Sequence, residues 1–477
     1  MSFLRRARIP LIIYFVCLAA YAGTSAGFLK QHSQDNHYVY LADSFLHGQL
    51  SLRTEPPHQN DWALVHELQL RDGRKVRGTF LQVGGHGDDF KTTKGQRLVI
   101  TPDMITSRRH AYYVSFPWFP AVLMMPFVAL FGMGMNDVLF TVLLAAFNPV
   151  LVYFLLRRLA ALGLSQRRLS EDLWLVALFA FGTVHYFVSV SGQVWFTAHV
   201  VGVGLTACYA IAALEGKHPV LAGLCLGLGF VTRTPIPFAF PLVVGEILRR
   251  NLAPTAADAP APDPCHRPEL VPWLRALWPR LQKGPATRQL GLAALPAVAV
   301  AGVAGILNFL RFDRFGEFGH YYLNVRWAER IQRWGLFNYH YIPRNLAALL
   351  TLLPRISAQK PFVQVSMHGL SLFVTTPMFG FLFWPRRRSG VQPWLYLSCL
   401  LPMIAHLMYQ HTGWQQFGFR FSLDYTVFLV ALLAVGGYRI GKLAKILILF
   451  GIAVNTFGAV TYYRMWDFYW DGMFPVE

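Results

Sequence analysis

A single carboxylate stands at the head of a segment whose pattern predicts an amphipathic helix. Asp35 comes a few residues after the first apolar run of the chain. Tyr38, Leu41 and Phe45 follow at helical spacing and would let this helix lie in a membrane interface. A carboxylate held at that surface can accept a proton from a hydroxyl group. The alternative is that Asp35 only caps the helix or is a solvated loop charge.

Basic residues stand at three points where the chain enters or interrupts an apolar run. Arg108, Arg109 and His110 end the first long polar segment, and paired arginines there could bind a phosphate bidentately. Arg233 interrupts a strongly apolar stretch, and a charge inside a membrane usually faces a partner or an aqueous cavity. Arg420 leads into a late apolar run. Interfacial anchoring, snorkelling and the setting of topology are the alternatives for these residues.

The short segment 411–420 carries side chains that could hold a sugar. Trp414 offers a stacking face, and Gln415 and Gln416 offer hydrogen bonds. Tyr38 is a further candidate for binding a sugar or an acceptor. Anchoring by an aromatic belt is the alternative for Trp414. The seven histidines of residues 30–113 show no metal-ligand spacing, so we predict no metal site there.

The composition predicts that a lipid bilayer is the main solvent of this chain. Apolar residues make up 54% of the 477 residues and charged residues only 14%, against roughly 25% in a soluble domain. The net charge is +19, but most basic residues form short clusters beside apolar runs. This pattern is typical of membrane topology, and no nucleic-acid-binding motif accompanies it. We therefore predict membrane lipids, and no nucleic acid, as partners.

Apolar runs of spanning length predict an all-α polytopic membrane protein with about eleven transmembrane helices. The runs lie at about 9–29, 114–133, 137–157, 173–190, 196–214, 219–248, 290–310, 366–384, 392–410, 421–437 and 443–462.

Short basic clusters predict the orientation, because lysine and arginine are enriched in cytoplasmic loops. The clusters assigned to the cytoplasm are Arg5 with Arg6 and Arg8, Arg249 with Arg250, Arg386 with Arg387 and Arg388, and Arg439 with Lys442 and Lys445. The predicted location is a bacterial inner membrane, with a cytoplasmic N-terminus and a periplasmic C-terminus.

The predicted organisation follows from these runs and from the polar segments between them. A first transmembrane helix (1–29) is followed by a large periplasmic loop (30–113), which contains interfacial helices and a small β-hairpin insertion at 64–100. Transmembrane helices (114–250) and a proline-rich cytoplasmic linker (251–289) come next. The C-terminal transmembrane helices (290–477) include the periplasmic loops 311–365 and 411–420. The hairpin is indicated by alternating residues around turn sequences at Arg71–Arg74 and Gly84–Gly87.

One region allows two topologies. If 114–133 and 137–157 both cross the membrane, four arginines between residues 157 and 168 lie outside, against the positive-inside rule. In the alternative, 114–133 is interfacial or re-entrant and 219–248 is two short helices broken at Thr234–Pro237. We prefer the second topology because it satisfies the charge distribution.

Five short motifs, taken in chain order, resemble those of the C-fold (GT-C) glycosyltransferases. They are the helix head Asp35 to Ala42, the entry Tyr113 to Pro117 with its Phe131-Gly132 end, the break Gly229 to Arg233, the segment Asn308 to Gly316, and the loop Gly413 to Phe421. The chain is most similar to bacterial relatives of dolichyl-phosphate-mannose protein mannosyltransferases and to lipid A aminoarabinose transferases. It departs from the pattern at Asn36, Trp118, Trp414 and Phe421.

The resemblance implies an inverting transfer of a sugar from a polyprenyl-phosphate donor to an acceptor at the periplasmic face. Asp35 would be the general base on the acceptor hydroxyl. The basic residues Arg108, Arg109, His110, Arg233 and Arg420 would hold the donor phosphate. No cofactor is required, although some family members use a divalent metal. The acceptor stays open between protein, lipid and glycan.

Two other classes of function remain as alternatives. A transporter or flippase of lipid-linked saccharides could also place charges inside the membrane. A non-catalytic membrane assembly protein could keep the fold without the activity.

Overall fold

The computed structural model describes residues 3–81, 88–251, 284–323, 325 and 327–472. The predicted turn at Gly84–Gly87 and nearly all of the predicted linker 251–289 lie outside these residues. At the end of that linker, a helix begins at Pro285, where the fixed φ of proline suits the first turn.

Helices dominate the described part of the chain. They are α1 Phe3–Ser25, α2 His37–Leu46, α3 Phe119–Phe131, α4 Asp137–Ala161, α5 Leu169–Phe181, α6 His185–Ser189, α7 Val194–Ala213, α8 Pro219–Phe230, α9 Pro241–Asn251, α10 Pro285–Phe312, α11 Ala328–Trp334, α12 Ile342–Leu350, α13 Leu372–Thr375, α14 Gln392–Leu407, α15 Leu423–Val435 and α16 Lys442–Thr461.

Five of the described helices are long and apolar enough to cross a membrane, judged by length and composition. They are Ala7–Ser25, Asp137–Ala161, Val194–Gly216, Pro285–Phe312 and Lys442–Thr461. The predicted run 366–384 is irregular instead, because α13 stops before Pro377 and a 3₁₀ turn follows. The chain therefore belongs in a membrane, while the count of eleven spans is not confirmed.

The end of α1 meets the ends of several other helices. The Ser33 backbone N–H donates to Asp137 at the head of α4 at 2.7 Å, and the Val194 N–H at the head of α7 donates to the Asp35 carbonyl at 3.0 Å. The Phe119 N–H at the head of α3 donates to the Val231 carbonyl, just past α8. We call this the Asp35 end of the bundle.

The described short basic clusters that were assigned to the cytoplasm lie at the other ends of these helices, together with the arginines between residues 157 and 168. Arg158 at the end of α4 pairs with Glu215, which follows α7. An Arg167 terminal nitrogen donates to the Leu433 carbonyl near the end of α15 at 2.6 Å. The Arg386 N–H donates to the Gly436 carbonyl. We call this the basic end.

Helix α3 is too short to cross a bilayer by itself. Its 13 residues span roughly 20 Å, against an apolar core of about 30 Å. Its head bonds to Val231, and the Asn136 side chain just after it donates to the Leu29 carbonyl, so both ends lie at the Asp35 end. The break predicted within 219–248 lies between α8 and α9.

The first polar segment contains a five-stranded antiparallel sheet, which is larger than a small hairpin and makes the all-α assignment too narrow. Its strands are β1 Trp62–Leu70, β2 Lys75–Phe80, β3 Asp89–Thr92, β4 Arg97–Val99 and β5 Ile105–Val114, in the order β4-β3-β2-β1-β5. A smaller sheet joins β6 Arg355–Ile356, β7 Val363–Ser366 and β8 Tyr469–Trp470.

Asp313 attaches the large sheet to the end of α10. Its Oδ2 accepts hydrogen bonds from Thr93 at 2.6 Å and from Arg77 at 3.4 Å. Arg311, on the last turn of α10, donates to the Val114 carbonyl at the end of β5. These bonds hold the sheet, and the end of its last strand, against the end of α10.

Candidate functional site

A cavity of about 710 Å³ lies at the Asp35 end. Five of the predicted site residues line it: Tyr38, Arg233, Trp414, Gln415 and Arg420. The other five, Asp35, Arg108, Arg109, His110 and Gln416, are not among its lining residues.

Asp61 is the carboxylate from the first polar segment that lines this cavity. It sits directly before β1, and its neighbour Trp62 is fully buried and stacked on His37 at 3.8 Å between ring centroids. Its φ of 61° is in the left-handed region, which aspartate tolerates better than most residues. The backbone at Asp61 is therefore positioned by the start of a buried strand.

Asp35 is near enough to Asp61 for its charge to affect the pKa of Asp61, but it is not among the residues that line the cavity. Its carboxylate is 3.5 Å from the ring of His58, and its side chain is 18% exposed. Burial raises the pKa of Asp35, while His58 lowers it. Burial and the negative charge of Asp35 together raise the pKa of Asp61 from 3.8 to about 7, against the opposing effect of Arg420. The two carboxylates therefore form one electrostatic unit.

Arg420 supplies positive charge to the same cavity. It is 6% exposed, and its guanidinium lies over the rings of Phe196 and Phe421. One terminal nitrogen donates to the Gln415 carbonyl at 3.3 Å. Within the described residues it forms no salt bridge, and burial lowers its pKa to about 10, so it stays cationic at neutral pH. A buried cation without a salt bridge is suited to an anionic ligand.

Arg233 is the second cation of the cavity, and it is paired. It lies just past α8, where the helix breaks before Pro235. Its Nε donates to both carboxylate oxygens of Asp424, at 2.7 and 3.0 Å. Its guanidinium also faces the ring of Phe421, so one aromatic ring contacts both cavity arginines.

Gln416 holds the shape of the loop that carries Arg420. Its amide nitrogen donates to the carbonyls of His368 and Thr412, at 2.7 and 2.8 Å, and its oxygen accepts from the Arg420 N–H at 3.1 Å. The side chain is fully buried. Its sequence-predicted role as a sugar ligand is therefore replaced by a structural one.

We expect Gln416→Leu to destabilise the protein, because burying an unpaired backbone group costs about 1–3 kcal/mol. The measurement is the thermal unfolding temperature of the detergent-solubilised chain. The exposed Gln359→Leu serves as the control, and equal unfolding temperatures for the two variants would contradict the role of Gln416.

The predicted sugar-binding residues that reach the cavity include two aromatic side chains. The Tyr38 hydroxyl is buried and has no hydrogen-bond partner among the described residues. Trp414 packs against Trp327, another lining residue, with ring centroids 5.8 Å apart. The Trp414 Nε1 donates to Asp471 at 2.7 Å, which fixes the indole.

The basic residues Arg108, Arg109 and His110 lie elsewhere. They are exposed on β5, where Arg108 contacts His66 at 3.2 Å and lines a second cavity of about 420 Å³. His110 faces Glu55 at 3.3 Å. We therefore assign none of the three to the cavity of Arg420.

Sequence reasoning assigned no role to Asp61, Asp424, His406 or Trp327. Asp61 looks like any loop carboxylate in the sequence, because nothing there indicates that it is buried. Asp424 had a usable signal, since a carboxylate inside an apolar run needs a partner just as Arg233 does. Among the described residues, no group of three or more His, Cys, Asp or Glu is arranged to hold a metal ion.

No family model and no curated protein matches the chain. The apo oligosaccharyltransferase of Archaeoglobus fulgidus is similar at 12% identity and a TM-score of 0.38, over 100% of this chain and 57% of that one.

A second similar structure is oligosaccharyltransferase AglB of the same archaeon, in complex with an inhibitory peptide and a dolichol-phosphate. It is 12% identical with a TM-score of 0.39, over 99% of this chain and 57% of that one. This chain thus spans 57% of the length of both proteins.

Proposed function

We propose that the chain is a membrane glycosyltransferase of the GT-C type, which moves a sugar from a polyprenyl-phosphate donor to an acceptor hydroxyl. The observation that carries this proposal is the meeting of Asp61 and Arg420 in one cavity. A carboxyl group with a pKa of about 7 is suited to proton transfer near neutral pH. A buried arginine without a carboxylate partner is suited to a phosphate.

The reaction assigns one task to each group. Asp61 takes the proton of the acceptor hydroxyl as its oxygen forms a bond to the anomeric carbon. The bond from that carbon to the phosphate oxygen breaks, and the phosphate leaves with the electron pair. Arg420 and Arg233 stabilise the charge that develops on it. The products are the glycosylated acceptor and the polyprenyl phosphate, with inversion at the anomeric carbon.

The cavity wall supports a lipid-linked donor. Phe238, Phe337 and Ile404 line the cavity and are 48%, 49% and 40% exposed. Apolar side chains left open beside arginines are suited to a molecule with a charged head and a hydrocarbon chain, since each buried CH₂ contributes about 0.8 kcal/mol. Trp414 and Trp327 offer faces on which a sugar can stack.

The charge distribution supports a site outside the cytoplasm. The short basic loops between the helices lie at the end of the bundle opposite the cavity, and short basic loops are enriched on the cytoplasmic side. The cavity would then open at the periplasmic face of a bacterial inner membrane. The acceptor stays open between protein, lipid and glycan.

The direct test uses the full chain in proteoliposomes with labelled polyprenyl-phosphate sugars. We expect release of polyprenyl phosphate together with transfer of the label to an acceptor taken from a cell-envelope extract. Comparison of surface glycans of a deletion strain by mass spectrometry would identify that acceptor. Movement of the intact donor across the bilayer without cleavage would contradict the proposal and favour a flippase.

A pH profile separates Asp61 from its neighbour. Asp61 must be ionised to accept a proton, so the wild-type rate should fall as the pH drops through about 7. Asp35→Asn removes a negative charge that raises the pKa of Asp61, while Arg420 remains. We therefore expect the acidic limb of the rate profile to move to lower pH, with activity retained above it. If Asp35→Asn lost all activity at every pH, Asp35 rather than Asp61 would be the general base.

A further inference from the structure

Arg233 contacts Asp424 through one of its three guanidinium nitrogens. Only its Nε bonds to Asp424, and its two terminal nitrogens make no hydrogen bond within the described residues. The side chain is 14% exposed and lines the cavity. A purely structural arginine–aspartate pair commonly uses two parallel N–H bonds, which would involve the terminal nitrogens.

Asp424 is built into a rigid site. It is fully buried in the first turn of α15, where the helix dipole favours a carboxylate. His406 on α14 contacts its Oδ2 through Nε2 at 2.9 Å, and the His406 ring is stacked on Phe421 at 4.9 Å between centroids. His199 on α7 lies 3.6 Å from its other oxygen. Three helices therefore fix this carboxylate.

We propose that Asp424 is a positioning residue, which holds Arg233 by its Nε so that both terminal nitrogens face the phosphate of the lipid donor. His406 fixes Asp424 in turn. The inference rests on the proposed function. It adds that the guanidinium of Arg233 is already oriented for the phosphate before the donor binds. The charge of Asp424 cancels that of Arg233, so the pair can stay in the membrane before the donor arrives.

A double-mutant cycle on the full chain in detergent tests this role. The measured quantity is the dissociation constant of polyprenyl phosphate without a sugar. We expect Asp424→Asn to raise it about tenfold. In an Arg233→Lys background, which keeps a positive charge beside Asp424 but lacks the planar fork, the same substitution should raise it no further, because Asp424 acts through the fork of Arg233. A merely structural role predicts the same loss in both backgrounds, and that result would overturn the proposal.

Two further variants protect the test against misfolding. Asp137→Asn alters another buried carboxylate at the Asp35 end, bonded to Ser33 rather than to an arginine, and should leave binding unchanged. His406→Gln keeps the ion pair, and we expect binding about threefold weaker. Unchanged binding by folded Asp424→Asn or His406→Gln overturns the positioning role alone. A wild-type chain that does not bind the probe overturns the proposed function as well.

Discussion

Asp61→Asn is expected to reduce the transfer rate by about 10²- to 10⁴-fold, the usual contribution of a general base. Asparagine has the size of aspartate but cannot accept the proton of the acceptor hydroxyl. Because Asp61 has no salt bridge within the described residues, the substitution leaves no charge newly unpaired there. Expression and thermal stability should therefore stay near those of the wild type. The rate is measured as the release of polyprenyl phosphate from a labelled donor.

Asp43→Asn is the matched control for this variant. Asp43 lies on α2, pairs with the exposed Arg53 and does not line the cavity. It should transfer sugar at the wild-type rate. Near wild-type turnover by Asp61→Asn would show that Asp61 is not the base, and a comparison with Asp35→Asn would then decide whether its neighbour is.

Arg420→Ala is expected to have the second-largest effect, and it should act mainly on the donor. A hydrogen bond to a charged group is worth about 1.5–3 kcal/mol, so the donor KM should rise about 10- to 150-fold. Since the leaving phosphate gains charge in the transition state, kcat should fall as well. The measurement is the initial rate as a function of donor concentration in detergent micelles.

Arg420→Ala is expected to fold better than Arg233→Ala, because in the part of the chain that the structure describes only Arg233 forms a salt bridge. Arg233→Ala would leave Asp424 buried with its charge unpaired, which is strongly destabilising. Arg420 forms no salt bridge within the described residues, so its removal leaves no carboxylate unpaired among them. Arg420→Lys keeps the charge but loses the planar fork, and its donor KM should lie between those of the wild type and Arg420→Ala.

Arginines outside the cavity provide the comparison. Arg74→Ala removes an exposed side chain that pairs with Asp72, and it should leave donor use unchanged. Arg109 was a sequence-based candidate for the donor phosphate and lies exposed on β5. A loss in Arg109→Ala as large as that in Arg420→Ala would restore this candidate and contradict the cavity as the phosphate site.

The membrane character and the main helices could be predicted from the sequence alone. Long apolar runs have few folded alternatives in a bilayer, so α4, α7, α10 and α16 lie close to their predicted positions. Pro235 and Pro237 likewise predicted the break after α8, because proline cannot continue the helical ladder. The expense of a charge in an apolar run indicated Arg233 as a functional residue.

The sheet and the carboxylate at the cavity depended on tertiary structure. The middle of β5 is exposed, so its Ser-Arg-Arg-His sequence lacks the alternation that marks a half-buried strand. Its pairing with β1 is long-range, and the same pairing carries Arg108 and Arg109 away from the arginine cavity. Burial of Asp61 likewise depends on Trp62, α2 and the loop of Arg420, which lie far apart in the chain.

The residue types and their approximate order along the chain were thus determined locally, by hydropathy and backbone chemistry. Which carboxylate reaches the arginines was decided by packing, because the distance between two side chains on separate helices has no signature in either helix. Asp424 depends on both the local sequence and the packing. Its presence in an apolar run required a partner, and only the packing of α7, α14 and α15 around it determined that the partner is Arg233.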